Sequence, residues 1–305
     1  MTPFHTLMAV LVAVLWGFNF VVIKVGLGSF PPLLFAALRF VVIAFPAVFL
    51  LPRQNMPWRW IVTVGMAMGV LQFGCLYIGM NYGVPPGLAS ILVQSQALIT
   101  LLLSTVLLRD VPRPQQWLGV GLALAGMGAI AAAQEGQTQL LGLALVLCSS
   151  LSWASGNICI KRSRITNGFR LLVWMALIPP LPLLGLSLIF ETGVWLALRS
   201  LRLLGLVAIL YTGLISSLLC FGFWAYLVQH YSPNRVAPFS LLVPIFGLGF
   251  AAILLGESLT RLERVGALLV FIGLTLAILT PSRPSSPSPD PSPPSTLHAT
   301  KVREP

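Results

Sequence analysis

The stretch LMAVLVAVLWGFNFVVIKVGL, residues 7–27, decides the fold. Lys24, near its end, is its single charged residue. A helix needs roughly 20 predominantly apolar residues to cross the hydrocarbon core of a bilayer, so this run predicts a transmembrane helix. A secretory signal peptide would carry basic residues ahead of its apolar run. No lysine or arginine precedes this run and long apolar runs follow it, so we interpret it as a retained first helix.

Nine further apolar runs of similar length follow along the chain. Hydrophobic residues make up 57% of the sequence and charged residues only 8%, with a mean hydropathy of +0.93, whereas about a quarter of the residues of soluble domains are charged. The runs are about twice as long as a membrane barrel strand and lack its strict alternation. The sequence therefore predicts an all-α integral membrane protein with ten transmembrane helices in a lipid bilayer, at about 7–27, 32–51, 60–81, 87–108, 115–133, 139–160, 170–190, 203–228, 234–256 and 261–280.

The basic residues favour one side of this predicted array. If the N-terminus lies in the cytoplasm, twelve Lys and Arg residues fall in inner loops or the tail, and five fall in outer loops or the adjoining helix ends. By the positive-inside rule, both termini then face the cytoplasm. The net charge of +11 therefore reports topology, and we expect no nucleic-acid partner. The inner group is Arg53, Arg59, Arg109, Arg113, Lys161, Arg162, Arg164, Arg170, Arg235, Arg283, Lys301 and Arg303, and the outer group is Lys24, Arg199, Arg202, Arg261 and Arg264.

Two pairs of similar segments indicate a duplication. WGFNFVVIK (16–24) aligns without gaps with WASGNICIK (153–161), and LLRDVPRPQQWLGVGLALAG (107–126) aligns with LLGESLTRLERVGALLVFIG (254–273). Each predicted repeat holds five helices. Because five is odd, the second repeat enters the membrane in the opposite orientation, which is the inverted topology of many secondary transporters. A duplication that serves only to build a helical bundle is the other interpretation.

The chain therefore divides into three parts. The first repeat is predicted at residues 1–136 and the second at 137–280. Residues 281–305, PSRPSSPSPDPSPPSTLHATKVREP, are rich in Pro and Ser and have almost nothing to bury. This composition predicts a disordered cytoplasmic tail.

The sequence offers no pattern of residues typical of catalysis or metal binding. The four cysteines fall inside apolar runs without metal-ligand spacing, the three histidines are scattered, and neither HExxH nor GxSxG is present. All seven acidic residues fall at helix ends, in loops or in the tail, so no carboxylate at membrane depth is available as a proton relay. We expect no enzyme activity, no cofactor and no metal site.

Polar and aromatic residues inside the apolar runs are the candidate site, because an uncompensated polar side chain is unfavourable in hydrocarbon. We expect the site near the bilayer midplane, between the two repeats. Uncharged amide and hydroxyl groups would bind a zwitterionic small molecule without trapping it. Hydrogen bonding or packing between helices is the alternative for each residue. The substrate-binding candidates are Trp16, Asn19, Arg39, Gln72, Gln94, Gln96, Trp153, Asn157 and Pro244.

Three of these positions carry a more specific expectation. Gln94 and Gln96 point about 200° apart on a regular helix, so one is expected to line a cavity and the other to bond a neighbouring helix. Arg39 lies about 10 Å below the outer end of its helix, where its head either reaches outward or to carbonyls, or attracts a substrate carboxylate. Pro238 and Pro244 interrupt the ninth helix and free backbone carbonyls, a feature that broken transporter helices use at binding sites.

Six segments carry a resemblance to known proteins, and they are WGFNFVVIKVGL (16–27), PPLLFAALRFVVIAFPAVF (31–49), PPGLASILVQSQA (85–97), SWASGNI (152–158), VWMALIPP (173–180) and NRVAPFSLLVPIFGL (234–248). Together they resemble the EamA family of the drug/metabolite transporter superfamily, over about residues 7 to 280. The resemblance implies ten helices in two EamA repeats, cytoplasmic termini in a bacterial inner membrane, and export by alternating access. Its implied cargo is amino acids or related small metabolites, such as cysteine-like or O-acetylserine-like compounds.

Two other functions remain open at this point. Eight tryptophans and further aromatic residues in the runs would suit a broader exporter of amphipathic or aromatic compounds. A channel is the third interpretation, although the sequence holds no charged ring or filter-like repeat. The sequence leaves the cargo, the energy coupling and the oligomeric state undecided.

Overall fold

The computed structural model describes residues 1–53, 56–108, 112–133, 137–163, 165, 167–231 and 233–279, and every regular element in these ranges is helical. A short helix, Val194–Arg199, precedes the helix that begins at Leu203. The predicted tail, residues 281–305, lies outside the described ranges. The main helices are α1 (Pro3–Leu27), α2 (Pro32–Leu50), α3 (Trp58–Asn81), α4 (Pro86–Val93 and Gln96–Leu108), α5 (Pro114–Ala132), α6 (Gln137–Ser163), α7 (Gly168–Met175 and Pro180–Phe190), α8 (Leu203–His230), α9 (Pro233–Val236, Ala237–Leu241 and Leu242–Leu255) and α10 (Arg261–Leu279).

Within the described ranges, eight helices, all but α2 and α5, are long and apolar enough to cross a membrane. In α2 the described apolar part, Pro32–Phe45, is shorter. Large apolar side chains stand exposed around the bundle, and Leu181 and Ile253 are each 80% exposed. Such a surface is stable against lipid, where a helix satisfies its own backbone hydrogen bonds. The protein is therefore an all-helical, multi-pass membrane protein.

Proline and capping residues fix where several helices begin. Pro3, Pro86 and Pro114 stand in first turns, where a missing N–H breaks no helical hydrogen bond. Thr260 and Glu263 cap the start of α10 reciprocally. The Glu263 carboxylate accepts from the Thr260 N–H at 2.8 Å, and the Thr260 hydroxyl accepts from the Glu263 N–H at 3.2 Å, as in a capping box.

The helix ends gather at two faces of the bundle. The Ile165 face holds the N-terminus together with the ends of α2 and α8, because His5 and Tyr231 form a hydrogen bond of 2.6 Å and the Trp174 indole donates to the Leu51 carbonyl at 2.9 Å. The opposite end is the Glu191 face. It holds the connections at residues 28–31, 82–85, 191–202 and 256–260.

Helices α5 and α10 pack closely and antiparallel through glycines. A Cβ atom added to Gly119 would lie 2.6 Å from the Gly273 oxygen, and one added to Gly126 would lie 2.5 Å from the Gly266 oxygen. Small residues allow such close approach between membrane helices. In the alignment of 107–126 with 254–273, Gly119 corresponds to Gly266 and Gly126 to Gly273. Gly119 therefore lies against the counterpart of Gly126, and Gly126 lies against the counterpart of Gly119. A two-fold axis between two similar copies requires this arrangement.

Of the described helices, five depart from regular α geometry: α7 is interrupted at residues 176–179, and the other four form two corresponding pairs. Helix α3 contains the π-helical segment Gly65–Leu71, and α8 contains the π-helical segment Tyr211–Leu219. A turn interrupts α4 after Val93, and α9 contains the 3-10 segment Ala237–Leu241. The third helix of each predicted repeat is thus π-helical in part, and the fourth is broken. Such irregular segments frequently occur at functional sites.

Two carboxylates bind helix N-termini across the Glu191 face. Glu191, at the end of α7, accepts the N–H groups of Leu33 at 2.7 Å and Leu34 at 3.1 Å in the first turn of α2. Glu257, after α9, accepts the N–H of Gly87 in α4 at 3.2 Å. N–H groups at a helix start lack a partner within the helix, and the helix dipole favours an anion there. Each carboxylate thereby ties a helix that follows residue 137 to one that precedes it.

The surroundings of Glu257 act on its ionisation in opposite directions. Burial raises the pKa of the Glu257 carboxyl above its ordinary value, while the Gly87 N–H and the charge of Lys24 lower it. Burial is the largest of the three effects. Ionised Glu257 is therefore less favourable in this structure than it would be in water.

Candidate functional site

A central cavity of about 760 Å³ lies between α1 to α4 and α6 to α10. Its mouth is at the Ile165 face, where Ile165, Gly168 and Gln229 line it. Arg39 and Leu76 line its other end, below the Glu191 face. Because α2 starts at that face, Arg39 lies about 10 Å inside it at 1.5 Å per residue. The cavity therefore reaches deep into the bundle from one face.

The cavity brings together eight of the nine predicted site residues, and the ninth, Pro244, does not line it. Pro244 is the third residue of the regular segment Leu242–Leu255, where the absent N–H breaks no helical bond. The irregular part of α9 instead includes Pro238. The eight residues on the cavity wall are Trp16, Asn19, Arg39, Gln72, Gln94, Gln96, Trp153 and Asn157.

Trp16 and Asn19 occupy one face of α1 toward the cavity. The Trp16 indole donates to the Ser216 carbonyl of α8 at 2.9 Å, and its ring contacts Phe221 and Trp224 with centroid distances of 5.1 and 5.3 Å. Asn19 follows after about one helical turn and is only 7% exposed. Its Oδ1 atom is buried without a hydrogen-bond partner.

The irregular parts of α4 and α9 meet at the cavity. The Gln94 amide donates to the Ser240 carbonyl at 2.8 Å. The Asn157 amide in α6 donates to the Gln96 Oε1 and the Thr100 hydroxyl, both at 3.3 Å. Because a turn interrupts α4 between the two glutamines, the angle of about 200° expected for a regular helix does not apply. Both glutamines line the cavity, and each also bonds a neighbouring helix.

Arg39 is buried, with 2% exposure. Its guanidinium donates to the Tyr77 hydroxyl at 3.0 Å and to the Ser217 hydroxyl at 2.7 Å, and lies 4.0 Å from the centroid of the Phe73 ring. The Ser217 hydroxyl in turn donates to the Thr212 carbonyl in the π-helical segment of α8. The head group thus binds hydroxyls inside the bundle rather than reaching outward. Within the described residues it forms no salt bridge with a carboxylate, and its Nε atom has no partner.

Gln72 follows the π-helical segment of α3 and is 3% exposed. Its Oε1 atom is the third buried atom on the cavity wall without a hydrogen-bond partner. A buried polar atom normally has one. Packing and cavity lining were the two alternatives predicted for Gln72, and the side chain lies on the wall.

Sequence reasoning missed two phenylalanines of the cavity wall and the π-helical segments beside it. Phe169 and Phe221 line the cavity, and Phe221 stacks on Trp153 at a centroid distance of 5.8 Å. An aromatic residue in an apolar run carries no feature that separates a cavity wall from a lipid contact. The π-helical segments have equally little signature, and the pair Gly65 and Gly69 is the nearest signal for the one in α3.

The chemistry of the wall suits an organic molecule. Among the described residues, no group of three or more His, Cys, Asp and Glu side chains could hold a metal ion. The polar groups on the wall are amides, hydroxyls, indoles and one guanidinium, whereas the hard metal ions prefer carboxylates and the soft ones thiolates. The arrangement can bind a small molecule through hydrogen bonds and aromatic contacts.

Comparison with known proteins places the chain in a family. Residues 4–132 and 140–279 each match the model of the EamA-like transporter family. The chain is 39% identical over 279 residues to a probable amino-acid metabolite efflux pump of Salmonella typhimurium, with 89% of this chain and 93% of that protein covered. The protein of the same name from Escherichia coli is 38% identical with the same coverage.

Two proteins of lower sequence identity are also similar to this chain, one in sequence and one in fold. An uncharacterized inner membrane transporter of Escherichia coli, YedA, is 26% identical over 272 residues, covering 87% of this chain and 88% of that protein. A protein of known crystal structure shares the fold, with a TM-score of 0.63 at 17% identity over 91% of this chain and 98% of that one. Because its two matches to this family model together cover most of the chain, the protein belongs to the EamA-like transporter family.

Proposed function

We propose that the protein exports amino acids or related small metabolites by alternating access, and that the structure represents the state open to the cytoplasm. The cavity is the observation that carries this proposal. It opens at the Ile165 face and ends below the Glu191 face, where Glu191 and Glu257 tie helices together. A site open on one side suits a carrier, whereas a channel needs a continuous path. No catalytic step is part of the proposal.

Ten membrane-crossing helices in two inverted repeats form part of this proposal, with α2 and α5 joining the other eight. The repeats would be residues 1–136 and 137–280. The self-complementary glycine contact of α5 with α10 supports inversion, as do the paired irregular segments of α3 with α8 and α4 with α9. The family matches at 4–132 and 140–279 agree with a boundary between the repeats.

We place the Ile165 face and both termini in the cytoplasm of a bacterial inner membrane. The described basic residues of the predicted inner group support this under the positive-inside rule. Tags at both termini and a label at Ile165 should then be cytoplasmic, and a label at Asn81 external. An external C-terminus would overturn the orientation and the odd number of helices per repeat. The described inner group is Arg53, Arg59, Arg113, Lys161, Arg162, Arg170 and Arg235.

Similarity to the two efflux pumps supports amino-acid metabolites as cargo. The test is flux through the purified full chain in proteoliposomes, with labelled L-cysteine, O-acetyl-L-serine, L-leucine and L-phenylalanine. Saturable flux that is stimulated by substrate on the opposite side would support a carrier. The same flux measured with imposed pH gradients and membrane potentials would identify the coupling. Absence of flux for every amino acid would overturn the proposed function.

A broader exporter of amphipathic or aromatic compounds is the second candidate function. The observation in its favour is the aromatic wall made by Trp16, Trp153, Phe221 and Trp224. Aromatic surfaces bind apolar rings without requiring a charge on them. If neutral aromatics such as indole compete with labelled L-phenylalanine as strongly as unlabelled L-phenylalanine does, this second function is favoured.

A further inference from the structure

Three side chains that line the cavity contain buried polar atoms that lack a partner. These atoms are the Oδ1 of Asn19, the Nε of Arg39 and the Oε1 of Gln72, and the three side chains are 7%, 2% and 3% exposed. Such atoms destabilise a protein unless a ligand or an ordered water satisfies them. The other unpartnered atoms among the described buried side chains are the Nε atoms of Arg113 and Arg170, which do not line the cavity.

Contacts between helices bring these three side chains to one end of the cavity. The Arg39 guanidinium lies over the ring of Phe73, the residue after Gln72. The guanidinium also donates to the Ser217 hydroxyl. The carbonyl of the preceding residue, Ser216, accepts from the Trp16 indole. Trp16 lies about one turn before Asn19 on the same face of α1. Helices α1, α2, α3 and α8 therefore converge on the Arg39 guanidinium.

The charge of Arg39 is incompletely balanced there. Its described partners are two hydroxyls and an aromatic ring, and a buried cation is stable when it is paired with an anion. The planar guanidinium binds carboxylates with particular geometric fit. An anion of the cargo would supply the missing charge. The amide oxygens of Asn19 and Gln72 accept hydrogen bonds but cannot bind an anion. They would be satisfied by a hydrogen-bond donor in the same cargo molecule.

We propose that the cavity recognises the zwitterionic head group of an α-amino acid, with Arg39 binding its carboxylate and the amide oxygens of Asn19 and Gln72 binding its ammonium group. This inference rests on the proposed function and names the part of the cargo that the carrier reads. A zwitterion satisfies the free donor and both free acceptors at once. It also brings no net charge into the membrane interior, where net charge is costly.

The rest of the cavity accommodates the side chain of the amino acid. Toward the mouth the wall includes Trp153, Phe169, Phe221 and Met175, which present apolar and aromatic surface of no fixed hydrogen-bonding pattern. The volume of about 760 Å³ exceeds what a single head group needs. Selectivity therefore resides in the two charges of the head group, and the carrier tolerates different side chains.

Binding of a matched set of compounds to the purified full chain tests this inference. The compounds are L-phenylalanine, its methyl ester, N-acetyl-L-phenylalanine, phenethylamine and 3-phenylpropionate, which keep one ring and remove either charge. Affinity is measured from the rise in Tm with ligand concentration. We expect L-phenylalanine to bind about tenfold or more tightly than each single-charge analogue, because hydrogen bonds to charged groups are among the strong ones. Equal affinity across the set would overturn the inference.

Variants separate recognition of the two charges from a general loss of fold. Arg39→Gln should weaken L-phenylalanine and 3-phenylpropionate about tenfold and leave phenethylamine unchanged. Asn19→Leu and Gln72→Leu should weaken L-phenylalanine and phenethylamine and leave 3-phenylpropionate unchanged. Gln116→Leu is the matched control, since this buried amide bonds the Ala277 carbonyl away from the cavity, and all affinities should stay unchanged. A defect in folding would weaken every ligand alike, and that result would overturn the assignment.

Failure of the head-group site can be distinguished from failure of the proposed export function. If amino acids are transported in proteoliposomes but the single-charge analogues bind as tightly as L-phenylalanine, the carrier stands and the head-group site fails. If no amino acid is transported but the binding pattern follows the two charges, the site stands and export fails. Arg39→Lys, which keeps the charge without the planar fork, should retain part of the affinity for L-phenylalanine, and a complete loss equal to that of Arg39→Gln would argue against a role for the charge.

Discussion

Replacing Glu191 by glutamine should weaken the closure of the Glu191 face. The carboxylate accepts the N–H groups of Leu33 at 2.7 Å and Leu34 at 3.1 Å and the hydroxyl of Ser187 at 2.6 Å. Glutamine has nearly the same size but a single acceptor oxygen and no charge, so at least one charge-assisted bond is lost. Such a bond contributes about 1.5–3 kcal/mol, and partial exposure of Glu191 favours the lower end. About 1.4 kcal/mol corresponds to a tenfold change in the ratio of open to closed states.

The assay is the reactivity of a single cysteine at the closed end of the cavity. Leu76 is suitable because it is 3% exposed and lines that end. In a variant with Leu76→Cys, a membrane-impermeant maleimide added from the Glu191 face should react about tenfold faster when Glu191→Gln is present. The native cysteines must first be replaced, and they are Cys75, Cys148, Cys159 and Cys220.

Arg202→Gln is the control, because it removes an exposed charge at the same face that is not bonded to the start of α2. With Arg202→Gln added, the labelling rate should match that of the Leu76→Cys variant alone. Equal rates with and without Glu191→Gln would refute the reasoning, since closure would then not depend on the carboxylate. An equal rise with Arg202→Gln would assign the effect to surface charge in general.

Three further predictions concern other parts of the structure. Gln94→Leu removes the hydrogen bond to the Ser240 carbonyl, worth about 1 kcal/mol, and should reduce flux several-fold at unchanged abundance in the membrane; normal flux would assign the bond to packing alone. Gly126→Leu places side-chain atoms against the backbone of α10 and should destabilise the protein by about 1–3 kcal/mol. Its Tm should be lower than that of Gly121→Leu, because no described atom lies within 4 Å of a Cβ added at Gly121. Equal Tm values would contradict this prediction. Because burial raises the pKa of Glu257 in the closed state, that state binds more protons than one with hydrated Glu257. It should therefore gain stability as the pH falls from above the raised pKa to the ordinary value. Because the labelling reaction itself speeds up with pH as the thiol ionises, the readout is the ratio of the labelling rates with and without Glu257→Gln. That ratio should change over this pH range, and a constant ratio would contradict the prediction.

The helices could be predicted from the sequence because lipid imposes one requirement on the backbone. A chain that crosses hydrocarbon must satisfy its N–H and C=O groups internally, so apolar length alone predicts a helix. The run at 7–27 accordingly lies within Pro3–Leu27. The π-helical segments and the turn in α4 were not predictable in this way, because they contain no proline and depend on contacts with other helices. Gly69, for example, lies against Pro179, in the interruption of α7.

The polar residues of the cavity wall could be expected from the sequence for the same reason, whereas a local rule applied too simply added Pro244 to them. Polar residues such as Asn19 and Gln72 cannot face lipid without cost, so they lie on the cavity wall. Pro244 was predicted as a break, but proline breaks a helix only where its N–H would be needed. The partners of Arg39 could not be read from the sequence, since Ser217 comes from a helix far along the chain.

The position of Arg39 at the closed end of the cavity also bears on the direction of passage. On the proposed binding mode, a molecule enters from the cytoplasm with its carboxylate leading and its side chain trailing toward the mouth. When the Glu191 face opens, the carboxylate leads again, so the molecule crosses without turning round. A molecule arriving from the opposite side would have to present its side chain first. Export and import therefore follow one path in opposite senses, the carboxylate leading outward and the side chain leading inward, and the gradients alone set the final distribution.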